Sequence, residues 1–530
     1  MTLSGFVAEQ LFNAGSCYIF GVPGGPSIPW LKAFRDAGLE FVLTSHEASA
    51  GVMADVTARL KGVPGICHAT FGPGATNIST GVGCALLDRS PVIVLTSEIK
   101  GAMRGRTTQM NIDHQRLFAP LTKATFRLTP SNAKEVIEDA LRICMEEYPG
   151  PVHIGLPEDI AENETDADPV IFGGNRIPES VNETEEIIRL LKGSRKPLIA
   201  AGLTAHRMGI RNELMQFLEK HNVPVVVTPM AKGVLPDKHP CFAGVLFHAL
   251  SDYLGDIIEK CDLVIGIGYD PVEFNYESWI PDVPLVHFDT RRTDMPQGRQ
   301  IFQYAGRPEE WFRLLESMDQ SAFISETSLI KGIRQEMASV FNGFTGHFGP
   351  AAAIRMLNEE LPADSIVTAD VGSHLHLLGQ FHEIKGNGRF IISNGWSGMG
   401  FGISAAIASA LNCPDSTVVC ITGDGGFLMT AGEMLTARRN NLPIIVIVFS
   451  DGELGLIRLK QAWSGISPYG TILYQDALFG SDKFLGIRVL NASSSEELRK
   501  SVNKAISMNE PVIINAIIDP EDYKWMIVKH

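Results

Sequence analysis

The feature that most constrains this chain is a pattern that recurs in three successive blocks. A short apolar or β-branched run is followed by a stretch with helical spacing, then by another apolar run. Apolar runs separated by helices read as strands of a parallel sheet covered on both faces, because a parallel strand reaches its neighbour only through a crossover. In the first block, 18–21, 41–44, 65–70, 91–96 and 151–156 read as strands, with helices at 48–60 and 75–87. In the second, the strands are 197–201, 223–228, 263–267 and 284–288. In the third, they are 365–369, 389–392, 417–421, 444–449 and 511–518, with a helix at 430–440. Polar stretches at 159–182 and 317–327 read as linkers. The expectation is an α/β chain of three doubly wound parallel-sheet domains, at 1–169, 183–335 and 347–530, with similar layouts in the first and third.

Composition narrows the function. Of 530 residues, 45% are hydrophobic and 20% charged, which excludes a disordered chain. A formal charge of −15 argues against a nucleic-acid partner but leaves room for a local basic pocket. The eight cysteines form no CxxC pair and sit mostly among apolar neighbours, so they read as free thiols in a reducing compartment. The opening MTLSGFVAEQLF lacks a basic n-region and reads as an amphipathic helix rather than a signal peptide. No apolar run approaches the roughly 20 residues that span a bilayer. A cytoplasmic protein without a membrane partner is expected.

The strongest chemical signal is Gly423, Asp424, Gly425 and Gly426, directly after the apolar run 417–421. Glycines let the backbone approach a ligand, and the turn into the next helix presents N–H groups to phosphate. The segment lacks the Lys-Ser/Thr ending of a nucleotide-triphosphate loop. Asp424 puts a carboxylate into that cradle, which calls for a divalent cation between acid and phosphate. Asp451 ends the next strand, so a strand–helix–strand unit returns both acids to one carboxyl edge. Asp424, Asp451 and the carbonyl near Glu453 make a candidate half-shell for Mg²⁺.

GDG followed after 25 residues by Asp451 resembles the signature of thiamine-diphosphate (ThDP) enzymes. Glu47, after a strand in the first block, resembles the acid of their pyrimidine-binding domain. The resemblance implies that Glu47 faces the aminopyrimidine and promotes loss of the C2 proton, a task suited to a buried carboxylate. GVPGG (with Gly24 and Gly25), GPGATN at 72–77 and NGWSGMGFG at 394–402 resemble loops of the acetolactate synthase group. The resemblance makes Gly398 and Met399 cofactor contacts, Met399 being an apolar wedge under the bent cofactor. DVGSH at 370–374 resembles the segment whose Ser373 and His374 reach the diphosphate. LIRLKQ at 456–461 resembles an active-site helix and makes Gln461 a catalytic candidate. Arg458 and Lys460 on the same stretch read as solvated charges, or as groups that meet an anionic acceptor.

The nearest branch is the catabolic, FAD-independent acetolactate synthase type, to which IGYDPVE at 267–273 and a short end after the last strand both point. Gly266-Ile267-Gly268 lacks the third glycine and acidic partner of a dinucleotide fingerprint, so FAD is not expected to be required. The resemblance implies homodimers or homotetramers with active sites at the subunit interface, and decarboxylation of a 2-oxo acid, pyruvate first, with transfer to a second to give 2-acetolactate. Three departures bear on the substrate: Gln109 is displaced by one position, Pro26 follows Gly25, and Phe71 replaces a small residue. The alternatives are a 2-oxo-acid decarboxylase, lyase or acetyltransferase, and a non-catalytic cofactor-binding paralogue. The adjacent His-His pair of some decarboxylases does not occur.

Overall fold

A computed structural model describes residues 1–170, 177, 183–319 and 326–527. It contains three sheets. The first is parallel throughout, in the order Glu40–Leu43, Tyr18–Val22, Gly65–Ala69, Val92–Glu98, Val152–Pro157, Ala124–Arg127. The second, also parallel, runs Ile301–Ala305, Leu285–Asp289, Leu263–Ile267, Pro197–Ala201, Val225–Val227, Phe242–Val245. The third runs Arg389–Ile391, Ile366–Ala369, Val418–Gly423, Ile445–Ser450, Val512–Ile517, Ile487–Ala492, and closes on the short antiparallel strand Lys483–Phe484. The central strands are buried along their whole length, as their unbroken apolar runs require.

The first and third sheets begin alike: the first two strands lie side by side in reversed order, and the third strand flanks the first. Their switch points fall between Tyr18–Val22 and Gly65–Ala69, and between Ile366–Ala369 and Val418–Gly423. The middle sheet instead places its first three strands on one side and the rest on the other. In each sheet the switch point is where a crevice opens beyond the carboxyl ends of the strands. The glycine loops at 23–25, 70–77, 370–374 and 423–426 all begin there.

All the expected strands are present within a few residues of their expected ends. Four further strands were not anticipated: Ala124–Arg127, Phe242–Val245, Ile301–Ala305 and Ile487–Ala492, as well as the two-residue Lys483–Phe484. Most are edge or near-edge strands. Ala124–Arg127 and Ile301–Ala305 are only half buried, so no continuous apolar run marks them. The helix expected at 430–440 is present as Glu433–Arg439, and a further short helix, Asp424–Thr430, precedes it across Ala431 and Gly432. The start of the 159–182 stretch folds back on the N-terminal helix Leu3–Asn13, with Leu3 N–H on the Asn163 carbonyl and Val170 N–H on Gln10 Oε1, both at 2.8 Å. Residues 171–176, 178–182 and 320–325 of the two expected linkers lie outside the described residues. Among the described residues, no helix is long and apolar enough to cross a membrane, and all eight cysteines are free, six of them buried.

The first and third sheets share one apolar core. Helix Glu47–Lys61 packs on helix Phe401–Asn412, burying Met53 and Val56 with Phe401, Ile403 and Ile407. Helix Glu47–Lys61 also meets helix Pro73–Leu87 so closely that a Cβ on Gly51 would lie 2.7 Å from Gly81 Cα. Arg59 bridges the units at the end of this core. Its guanidinium bonds Asp55 and Asp88, at 2.6 and 2.8 Å, and the Ile392 carbonyl at 2.7 Å. Asp55, Cys84 and Asp88 lie close enough together to resemble a metal cluster, but Arg59 already supplies the cation. Removing one partner from a buried charge network leaves the others uncompensated. Arg59→Met should therefore lower unfolding free energy by about 3–5 kcal/mol, read as a lower denaturant midpoint at unchanged slope.

Candidate active site

Asp424 opens helix Asp424–Thr430, and its carboxylate is buried. Oδ2 accepts the N–H groups of Asp451 (3.2 Å) and Gly452 (2.7 Å) and the Tyr474 hydroxyl (2.8 Å), while Oδ1 accepts the Gly425 N–H (2.8 Å). Burial raises the Asp424 carboxyl above the usual carboxylate range. Asp451 is pushed up to about 7, first by burial and then by repulsion from Asp424. Among the described residues neither acid has an ion-pair partner. The nearby Arg458 is paired with Glu453. Two close carboxylates without a cation, at a sheet's carboxyl edge, are suited to a hard divalent ion that takes few protein oxygens.

The Glu453 side chain faces Arg458 instead of the acids, and its carbonyl accepts the Gly455 N–H at 3.0 Å. Any contribution to a metal shell therefore falls to the free lone pair of that carbonyl. Ser373 and His374 begin helix Ser373–Phe381 beside this pair. A Cβ on Gly455 would lie 3.2 Å from Asp451 Oδ2 and 3.4 Å from Ser373 Oγ, and one on Gly423 would lie 3.6 Å from His374 Nδ1. Ser373 Oγ, His374 Nε2 and Asn394 Nδ2 are buried without a partner. Burial holds His374 neutral, down to about 4. The orphaned donors Ser373 Oγ and Asn394 Nδ2, around a glycine cradle and a helix N-terminus, fit a phosphate-bearing group.

Met399 lies over the same turn. A Cβ on Gly425 would come within 3.0 Å of Met399 Cε and 2.9 Å of Leu454 Cδ2. Gly398 sits one residue earlier, beside the Trp396 ring. Asp370, at the end of strand Ile366–Ala369, organises these loops. It accepts N–H bonds from Val371 (2.7 Å), Gly400 (2.9 Å) and Gly402 (3.2 Å), and one from the Thr422 hydroxyl (3.3 Å). Burial raises its carboxyl to about 6 against those bonds.

Glu47 starts helix Glu47–Lys61 after the edge strand Glu40–Leu43 and beside the loop at the first sheet's switch point, buried, with Oε2 accepting from Asn77 Nδ2 at 3.0 Å. A Cβ on Gly74 would lie 3.5 Å from Glu47 Oε1. Glu433, at the start of helix Glu433–Arg439, accepts the N–H groups of Ser45 and His46, both at 3.0 Å, and so fixes the approach to Glu47. Gly24 packs against Thr70, where a Cβ would collide with Oγ1, whereas Gly25 faces open space. Among the described residues no hydrogen bond joins Glu47 to the Asp424–Asp451 pair.

Gln461 is placed away from the acids' hydrogen-bond network. Its Nε2 donates to the Tyr469 carbonyl (2.8 Å) and its Oε1 accepts the Tyr469 N–H (3.1 Å), closing the loop after helix Gly455–Trp463. Sequence reasoning missed Tyr474 and Glu433, and named Asp370 only as the start of a segment. Tyr474 follows an irregular loop with no periodic signal. Glu433 and Asp370 could have been found as acids at element ends in otherwise apolar surroundings.

The chain matches the thiamine pyrophosphate enzyme N-terminal TPP binding domain over residues 1–117, the central domain over 184–310 and the C-terminal TPP binding domain over 370–516. A probable acetolactate synthase large subunit of Methanocaldococcus jannaschii is 30% identical, over 98% of this chain and 92% of that protein. Acetolactate synthase isozyme 2 large subunit of Escherichia coli is 27% identical, over 99% and 96%. A putative thiamine pyrophosphate-containing protein of Bacillus subtilis is 26% identical, over 97% and 91%. The chain belongs to the acetolactate synthase-like family of ThDP-dependent enzymes.

The carboxyl edge of the middle sheet carries different chemistry. Arg89 pairs with Asp270 (2.6 Å), Arg207 with Glu147, and Tyr148 lies under both Arg89 and Arg291. A cavity of about 520 Å³ borders this edge where the three units meet, lined by Arg59, His206, Arg207 and Arg389 among others. Glu273, beneath the edge, accepts the Met230 N–H at 2.9 Å through Oε1, while Oε2 has no partner. Burial raises its carboxyl to about 8. A carboxyl raised on folding contributes stability below its unfolded pKa and loses it as pH rises through the folded value. Thermal stability should fall between pH 5 and pH 9, and Glu273→Gln should flatten that fall while leaving the acidic side of the melting profile in place.

Proposed function

We propose that this enzyme decarboxylates a 2-oxo acid, pyruvate first, and joins the remaining two-carbon unit to a second 2-oxo acid, giving 2-acetolactate when the acceptor is pyruvate. The observation that carries the reading is the uncompensated Asp424–Asp451 pair beside the orphaned Ser373 and His374 at one switch point. The printed names of the acetolactate synthase relatives support the substrate class. Mg²⁺ would be held by Asp424 and Asp451 with the carbonyl near Glu453, and the diphosphate by Ser373, His374 and the turn at Gly423, Gly425 and Gly426. Gly24 and Gly25 would border the pyrimidine end. Bound ThDP supplies an acidic carbon and an electron sink. Glu47, steadied by Asn77, holds and returns a proton at the pyrimidine ring. Met399, Leu454 and Leu473, gathered over Gly425, exclude water from the reacting end. Gln461 shapes the acceptor end through the loop that it closes at Tyr469.

Flavin is not part of this reading, because the acids and tyrosine at the middle sheet's edge are committed to arginines. The active unit is a homodimer or larger homo-oligomer, with Glu47 of one copy meeting the Asp424–Asp451 pair of another. Large apolar side chains left open near that pair support it: Met429 is 61% exposed, Leu428 49% and Ile457 45%. The free thiols suit a reducing cytoplasm.

Protein supplied with ThDP and Mg²⁺, without FAD, should release CO₂ and form 2-acetolactate from pyruvate in equal amounts. Acetaldehyde in place of acetolactate would make it a simple decarboxylase. Glu47→Gln should keep the fold and cofactor affinity while cutting turnover by about 10²–10⁴-fold. Asp451→Ala should abolish Mg²⁺-dependent cofactor binding. Co-expressing the two inactive chains should restore part of the activity if sites form between copies, and a sum no better than either alone would refute the shared site.

A further inference from the structure

A second cavity, of about 320 Å³, opens at the carboxyl end of the first sheet and includes Phe71, Glu98, Arg104, Arg106, His114 and Arg127 in its lining. We propose that it is the carboxylate subsite for the 2-oxo acid, with Arg104 and Arg106 as its anion-binding residues; this rests on the substrate class proposed above. The Glu98 and Arg127 charges of the cavity are already paired. Glu98 accepts from Arg127 Nε at 2.6 Å and from Gln115. Asp113, also in the lining, caps the Arg116 N–H at 3.0 Å. Burial lowers the pKa of His114, whose ring bonds the Gly72 N–H (3.3 Å) and Thr96 Oγ1 (2.9 Å).

The two remaining guanidinium groups flank Gly105, which takes φ +75°, so the turn presents both to the same opening. The Arg104 guanidinium has no hydrogen bond or ion pair among the described residues, its backbone N–H alone being bonded, to the Gly101 carbonyl. The Arg106 guanidinium bonds only the Met103 sulfur there, at 3.3 Å, a weak acceptor. Guanidinium groups with unused donors are matched to carboxylate oxygens. With the Glu98–Arg127 pair set aside, two arginines face one carboxylate, which leaves room for a monoanion. The location is also suitable. Phe71 lines the cavity, and the segment from Phe71 to Asn77 carries Gly74 and Asn77 against the Glu47 carboxylate. An acid seated on the arginines would lie one loop from the residue assigned to the cofactor's pyrimidine. The same placement gives Phe71 a role, as an apolar wall beside the keto acid's side chain.

Titrating the cofactor-free full-length protein with pyruvate reads the subsite without turnover. The Arg104→Ala/Arg106→Ala double variant should bind pyruvate at least about tenfold more weakly, with an unchanged melting temperature and unchanged ThDP affinity. Arg106→Lys should retain more affinity than Arg106→Ala. Methyl pyruvate, which lacks the charge, should bind wild type and double variant alike. Equal pyruvate affinity in the wild type and the double variant, no pyruvate binding in the wild type, or tighter binding of inorganic phosphate than of pyruvate would each overturn the proposal. Failure of the loaded wild type to turn over any 2-oxo acid would instead sink the function proposed above, and it leaves the titration result standing on its own.

Discussion

Asp370 sits at the carboxyl end of strand Ile366–Ala369 without a cation against it, held by backbone N–H groups and one hydroxyl. Burying a carboxylate costs free energy unless its oxygens are bonded. Here the bonds come from three separate segments: the entry to helix Ser373–Phe381, the entry to helix Phe401–Asn412, and the end of strand Val418–Gly423. The acid therefore gathers the loops that carry Ser373, His374, Met399 and Asp424 around a single point. Gly426 must be glycine for this, since a Cβ there would lie 2.8 Å from Asp370 Cγ. The ligand-facing donors are left over because the loops' other groups are consumed by Asp370 and by the strands.

The sheets and the site differ in how far the sequence shows them. Runs such as Val92–Glu98 and Ile445–Ser450 are buried on both faces, so their apolar continuity is visible without tertiary context. Ala124–Arg127 is half exposed and polar at alternate positions, and only its neighbour Val152–Pro157 makes it a strand. The break at Ala431–Gly432 is set by Glu433 turning toward Ser45 and His46, a contact nearly 400 residues away in sequence. In the candidate site, Glu47, Asp424 and Asp451 could be singled out because each lies just past a strand, beside glycine or helix signals. Tyr474 was not, because an irregular loop brings it back to Asp424 through the bridge between Glu453 and Ile472. Gln461 was recognised by position, but its partner Tyr469 depends on a loop conformation that spacing does not encode.

The middle sheet has the strand order of a doubly wound nucleotide-binding fold, yet its switch point is handled differently from the other two. Gly268 is pressed so closely to the Thr204–Ala205 backbone that a Cβ there would collide with it. Asp270 and Glu147 reach arginines that belong to other segments, Arg89 from the first unit and Arg207 from the helix beside the edge. The same architecture thus carries the groups proposed to hold the cofactor in two sheets and paired acids in the third. Fold alone does not say which; the partners of the acids at the strand ends do.

The bond from Glu433 to the Ser45 and His46 amides has a consequence for modularity. The block that carries Glu47 and the block that carries Asp424 look separable along the sequence, as though either could be exchanged between relatives by recombination. The peptide just before Glu47 nevertheless takes its hydrogen bonds from the other block. A transplanted first block would arrive with two part-buried amides whose acceptor is an acid at one particular helix start in its new host. The two blocks are therefore coupled through that contact, and a crossover between them keeps it only where the recipient already offers the carboxylate.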